Sequence, residues 1–166
     1  MIDDNQARAL AARWLQWAHS MPSESSPISD PDGGHAAVNQ PDDVWFLAGT
    51  SGGSADRRAA VPVDRPLFFP LFNMWGRVEA ADVVCPEATG EAQLNGEKLP
   101  TWTVHNTEQI KIPVVAGKRF PRVKVRMWGL WSYHPGLAAG GHLLEFQGAV
   151  RPGGFWVAVR YNLIAG

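Results

Sequence analysis

Phe155-Trp156-Val157-Ala158-Val159-Arg160-Tyr161-Asn162-Leu163 alternates without a break, with Phe155, Val157, Val159, Tyr161 and Leu163 on one side. A strand turns successive side chains to opposite faces, so this run reads as a strand with one buried face. The same period recurs upstream. Residues 122–128 place Val123, Val125 and Met127 opposite Arg122, Lys124 and Arg126. Residues 109–115 align Ile110, Ile112 and Val114, and residues 101–105 align Trp102 with Val104. Asn95-Gly96 tolerates positive φ at both positions and predicts a two-residue hairpin joining a strand at 92–94 to one beginning at Glu97. Residues 44–47, 59–63 and 67–72 are further short apolar runs, with Pro62 and Pro70 marking edges or bulges. Many short strands separated by turns predict a sandwich or barrel. The expectation is an all-β fold, an antiparallel β-sandwich of jelly-roll type, forming one domain over residues 1–166.

One helix is expected ahead of these strands, over residues 4–21. Ala7, Leu10, Ala11, Trp14 and Ala18 recur at helical spacing, Asp3 or Asp4 can cap the start, and Pro22 ends it. Residues 22–43 are rich in Ser, Pro, Asp and Gly and read as a long loop. With 45% hydrophobic and 19% charged residues, the 166-residue chain is long enough for a core that needs no metal or disulfide staple. A net charge of -1 gives no electrostatic case for nucleic acid or an anionic membrane. No run is long and apolar enough to predict a membrane-spanning helix. Cys85 is the only cysteine, so no intrachain disulfide forms. Met1-Ile2-Asp3-Asp4 lacks the basic, apolar start of a leader. As it stands the chain reads as cytoplasmic, and as exported if a leader precedes it.

Several motifs carry two readings each. Gly49-Thr50-Ser51-Gly52-Gly53 matches a nucleophile elbow, but the helix an elbow requires is not signalled, and a glycine-rich turn is the favoured reading. It also lacks the Gly-Lys-Ser/Thr ending of a phosphate loop. His19, His35, His105, His134 and His142 form no close ligand pair. His35, His134, His142 and Glu145 are candidates for a metal site assembled from separate strands, against hydrogen bonds that fix a turn. Asp30, Asp32, Asp42 and Asp43 are turn chemistry or, alternatively, oxygen ligands for calcium. Lys118, Arg119, Arg122, Lys124 and Arg126 are a solvated charged face or an anion site, the former favoured.

Eight tryptophans are the compositional outlier. Aromatic faces hold sugars as readily as they fill cores. Trp75, Trp128, Trp131 and Tyr133 fall near expected strand ends, so with Arg126 they are the candidate ligand-binding residues. Trp45 and Trp156 are assigned to the core.

The stretch Val44-Trp45-Phe46-Leu47-Ala48-Gly49-Thr50, with Gly52-Gly53-Ser54, Arg57, Val61-Pro62, Pro66-Leu67-Phe68-Phe69-Pro70-Leu71 and Asn73, resembles a group of bacterial proteins, often exported. Their pattern runs near VWFLAGTFGGS…R…VPAGKALFFPLIN. The resemblance extends from Trp14 to Tyr161-Asn162-Leu163 and carries no established function with it. Ser51 stands where that pattern has an aromatic, and His35 near where it has a cysteine; the missing cysteines and the missing signal imply a cytoplasmic variant.

The leading expectation is non-covalent binding of a small or carbohydrate-like ligand at an aromatic-lined end of the sandwich. The competing one is a small enzyme whose pocket collects His, Glu and Arg, with a metal ion as an open alternative to having no cofactor. A structural or assembly subunit is the third. The expected partner is a small molecule or glycan, without nucleic acid or membrane, and the oligomeric state stays open.

Overall fold

The computed structural model describes residues 1–79, 83–113, 122–152 and 154–166. Helix α1 spans Asp4–Ala18. Among the described residues nine strands follow: β1 (Trp45–Phe46), β2 (Gly53–Val61), β3 (Leu67–Arg77), β4 (Ala88–Leu94), β5 (Glu97–Lys98), β6 (Thr101–Pro113), β7 (Arg122–His134), β8 (Gly140–Val150) and β9 (Trp156–Ala165). They form two sheets, ordered β1-β3-β7-β6 and β2-β9-β8-β4-β5. The pairings are antiparallel except β1 with β3 and β2 with β9, which run parallel, so the sandwich is mostly rather than wholly antiparallel.

Helix α1 starts at a capping box: Asp3 accepts from the Gln6 amide at 2.8 Å while the Gln6 side chain accepts from the Asp3 amide at 2.9 Å. It ends at Ala18, short of Pro22. Its buried face, with Ala7, Ala11, Trp14, Leu15 and Ala18, lies on the outer face of the four-stranded sheet against Phe68, Val125, Met127 and Trp131. The other face of that sheet meets the five-stranded sheet through Phe69, Leu71, Trp128, Leu130, Phe146, Val159, Tyr161 and Leu163. The molecule therefore has three layers: helix, covered sheet, half-open sheet.

This layering explains the two burial patterns. Both faces of the four-stranded sheet are covered, so β3 and β7 carry continuous buried runs at 67–72 and 127–132. The five-stranded sheet keeps one face in water, so β2, β4 and β9 alternate. The register of β3 against β7 shifts between Pro70 and Phe72, a bulge at the proline that cannot donate to a ladder. There the β3 backbone presses on the facing pair Gly90–Gly148, where a Cβ on Gly148 would lie 2.1 Å from the Leu71 carbonyl oxygen. Asn95 and Gly96, at φ 52° and 84°, make the β4–β5 turn.

Several boundaries differ from the periodicity. Residues 101–113 are one strand, because a register shift between Asn106 and Ile110 absorbs the break in alternation. Strand β8 was not expected, and β2 begins six residues before Ala59. Val114, Lys118 and Arg119 lie outside the described residues.

The long loop is tied down by side chains. Arg57, 1% exposed, points from β2 into it. Its Nε donates to the Asp30 carbonyl at 2.8 Å and its Nη2 to Ile28 at 3.1 Å. Its Nη1 donates to the carbonyls of Ala48 at 2.7 Å and Gly49 at 3.1 Å, and to the Tyr161 hydroxyl at 2.9 Å. The Asp30 carboxylate accepts from the backbone amides of Asp32, Gly33 and His35. The loop then covers the free edge of β2, where the Arg58 amide donates to Asp32 at 2.8 Å.

Candidate functional site

The side chains expected to form an aromatic end do not converge. Trp131 is 0% exposed, stacked on Phe68 at 5.1 Å between centroids and edge-on to Trp14 at 5.3 Å, under α1. Tyr133 packs on the same layer, edge-on to Trp102. Trp128 points the other way, into the sandwich beside Phe72. Arg126 shares that direction by strand parity, and its Nε is buried without a hydrogen-bond partner among the described residues. Trp75 alone of the four aromatics is well exposed, at 42%, edge-on to His19 beyond the end of α1. It borders an apolar recess of about 460 Å³ with Met21, Ile28 and Ile112.

Of the histidine candidates, His134 and His142 make turn contacts, while His35 Nδ1 is buried without a hydrogen-bond partner among the described residues. Asn95 Nδ2 donates to His142 Nδ1 at 3.1 Å, and His142 Nε2 donates to the Ala138 carbonyl at 2.8 Å. Those partners occupy both ring nitrogens. His134 Nδ1 accepts from the Gly136 amide at 3.3 Å; burial, then the neighbouring His142, holds its pKa below the ordinary histidine range. Among the described residues, no three His, Cys, Asp or Glu side chains stand close enough to hold a metal ion. Ser51 sits on an exposed turn that enters β2 directly, without the helix an elbow needs.

The open face of the five-stranded sheet carries a different constellation. Its register lines up four parallel rows across the strands. Trp156, Ala149 and Thr89 form the first. Ser54, Ala158, Gln147 and Glu91 form the second. Asp56, Arg160, Glu145, Gln93 and Lys98 form the third, which crosses all five strands. Arg58, Asn162 and Leu143 form the fourth.

The second row is floored by Ser54 and Ala158, while larger side chains stand on either side. The result is a hollow of about 550 Å³ between Asp56, Glu91, Gln93, Lys98, Glu145 and Arg160. A second hollow of about 420 Å³ shares Glu91, Gln147 and Ala158 with it and reaches Trp156. Trp156 is half exposed, at 50%.

The polar groups hold one another in place. Arg160 Nε and Nη2 donate to Glu145 Oε1 at 3.1 and 3.0 Å, and Gln93 Nε2 donates to Glu145 Oε2 at 3.0 Å. Asn162 Nδ2 donates to Asp56 Oδ1 at 3.1 Å, with Arg160 Nη1 3.8 Å from Asp56 Oδ2. Gln147 donates to Glu91. Ion pairs this exposed contribute at most about 1 kcal/mol each to stability. Their structural consequence is a pre-set field of donors and acceptors beside an exposed indole.

Glu145 thus belongs to this face rather than to a histidine cluster. Trp156 does not belong to the core, because it stands on the opposite side of β9 from Val157, Val159, Tyr161 and Leu163. The alternation of residues 155–163 contains that assignment already: one step from Val157 is the other face. No family model matches the chain, and neither a curated protein nor a solved structure does.

Proposed function

We propose that the open face of the five-stranded sheet is a non-covalent binding site for a carbohydrate or another small polar ligand. The observation that supports this most directly is Trp156, half exposed in a hollow that it lines with Glu91, Gln147 and Arg151 and that shares Glu91 and Gln147 with the larger polar hollow next to it. Sugars offer apolar ring faces and a rim of hydroxyls. An exposed indole takes the first, and planar acid, amide and guanidinium groups take the second. The Trp75 recess carries His19, Arg77 and three serines, but its lining surface is mainly apolar, which suits a polar ligand less well. Glu145 and Arg160 supply two members of the His, Glu and Arg set that an enzyme reading needs, but no histidine is among the residues lining the hollow.

The test is a glycan and polyol screen by thermal shift on wild type, Trp156→Ala and Trp75→Ala. Ligands that stabilise wild type are expected to stabilise Trp75→Ala equally and Trp156→Ala not at all. Retention in Trp156→Ala with loss in Trp75→Ala would move the site to the helix end.

A further inference from the structure

The shape and charge of the same face narrow the ligand further, on the premise that it is a carbohydrate site. We infer that it takes an extended, uncharged oligosaccharide lying across the strands, rather than a single sugar or an acidic polysaccharide.

The floor decides the direction. Small residues follow one another across the strands, Ser54 on β2 and Ala158 on β9, in register with Gln147 on β8 and Glu91 on β4. Along any one strand the floor is interrupted: β9 rises from Ala158 to Trp156 on one side and Arg160 on the other. The trough therefore runs perpendicular to the strands, walled by the Trp156 row and the Arg160 row. Those rows are four residues apart, about 13 Å, and the five-strand row spans about 19 Å at the usual strand spacing. The larger hollow, about 550 Å³, crosses all five strands on the Arg160 side of this row, and the smaller, about 420 Å³, lies on its Trp156 side, the two sharing Glu91, Gln147 and Ala158. A single ring would fill one part of such a trough and leave the rest wet, whereas a linear chain reaches Trp156 and the polar wall together.

Charge decides against an acidic chain. The larger hollow is lined by three carboxylates, Asp56, Glu91 and Glu145, against two cations, Lys98 and Arg160, one negative charge in excess, while the smaller hollow adds Arg151, so the excess is confined to the Arg160 side of the shared row. Arg160 is already engaged by Glu145 and lies near Asp56, which leaves Lys98 as the cation at the far end of the row. A neutral chain of hydroxyls can accept from Arg160, Lys98 and the amides and donate to the carboxylates. A uronate chain meets an excess of like charge in the larger hollow.

Calorimetric titration of the full chain tests this with linear glucose oligomers from monosaccharide to hexasaccharide, in both the cellulose and the amylose linkage, and with oligogalacturonate of matched length. Affinity is expected to rise by about tenfold or more from monosaccharide to tetrasaccharide and then level off as the trough fills. Trp156→Ala should cost about tenfold or more for every length that binds. Lys98→Ala should weaken the longer oligomers and leave the shorter ones unchanged. Equal affinity for monosaccharide and hexasaccharide would overturn the extended ligand while leaving a carbohydrate site standing. Tighter binding of oligogalacturonate than of the neutral series would overturn the charge argument. Absence of binding by every member would overturn both this inference and the carbohydrate reading beneath it.

Discussion

Arg57→Met keeps most of the stem and removes every guanidinium donor from the clamp. The Ala48 carbonyl retains a partner, because the Tyr161 hydroxyl also donates to it at 3.0 Å. The carbonyls of Ile28, Asp30 and Gly49 each lose their Arg57 bond. A buried carbonyl left unpaired costs about 1–3 kcal/mol, so three orphans set a range of about 3–9 kcal/mol. Two effects pull toward the lower end: the loop can open to water at Ile28, and the variant no longer buries a cation. The expected loss is about 3–5 kcal/mol by urea denaturation with an unchanged m-value. Hydrogen exchange at residues 28–35 should accelerate more than exchange in β8. Tyr161→Phe removes one donor from a carbonyl that Arg57 still holds, together with the acceptor used by Arg57 Nη1 and the Ala48 amide, and should cost about 1–3 kcal/mol. A loss under about 1 kcal/mol for Arg57→Met, with residues 28–35 still protected, would refute the clamp and make the loop independent of it.

Trp131→Ala should cost about 3–5 kcal/mol, because the indole fills the space between α1 and Phe68; calorimetric melting checks it. Gly148→Ala drives a methyl into the Leu71 carbonyl, so the two sheets must part at the bulge, for about 1–3 kcal/mol or failure to fold, read by denaturation and near-ultraviolet dichroism. Burial alone would raise the pKa of Asp30, but amides from His35, Gly33 and Asp32 and the charge of Arg57 outweigh it and hold it below the ordinary carboxylate value. A depressed carboxylate stabilises the fold above the unfolded-state pKa of about 3.9 and loses that contribution as pH falls through the lower folded value. Melting temperatures below about pH 4 should therefore fall less steeply in Asp30→Asn than in wild type.

Alternation made most faces legible. Val123, Val125 and Met127 do share a face, and so do Val157, Val159, Tyr161 and Leu163. Asn95-Gly96 marked its turn because both residues tolerate positive φ, and Pro70 its bulge because it cannot donate to a ladder. Strand β8 went unread because Gly140, Gly141 and Gly148 resemble turn signals, although Leu144 and Phe146 alternate with Glu145 and Gln147 between them. Periodicity assigns faces and not connections, so jelly-roll connectivity rests on no residue pattern.

The site was the harder part. Trp131 and Trp128 look alike in sequence, yet they fall on opposite covered faces of one sheet, and nothing local announces that α1 lies over it. Trp156 was legible from its own strand, but the tendency of tryptophan to be buried was weighted above the alternation. The polar rows were out of reach, since Asp56, Glu91, Glu145 and Arg160 are scattered through the chain and meet only when the strands are ordered β2-β9-β8-β4. The Arg57 clamp was hidden for the same reason: its partners are backbone carbonyls, which carry no sequence signature.

The most direct measurement is a backbone amide nuclear magnetic resonance titration of the labelled chain with the tightest-binding oligosaccharide. Shifts are expected at Ser54, Asp56, Glu91, Gln93, Glu145, Gln147, Ala158 and Arg160 and at the Trp156 indole N–H, with Trp75, Trp128, Trp131 and Tyr133 unmoved. Shifts centred on Trp75, His19 and Ile28, with the Trp156 indole silent, would contradict the assignment of the open sheet face as the binding site.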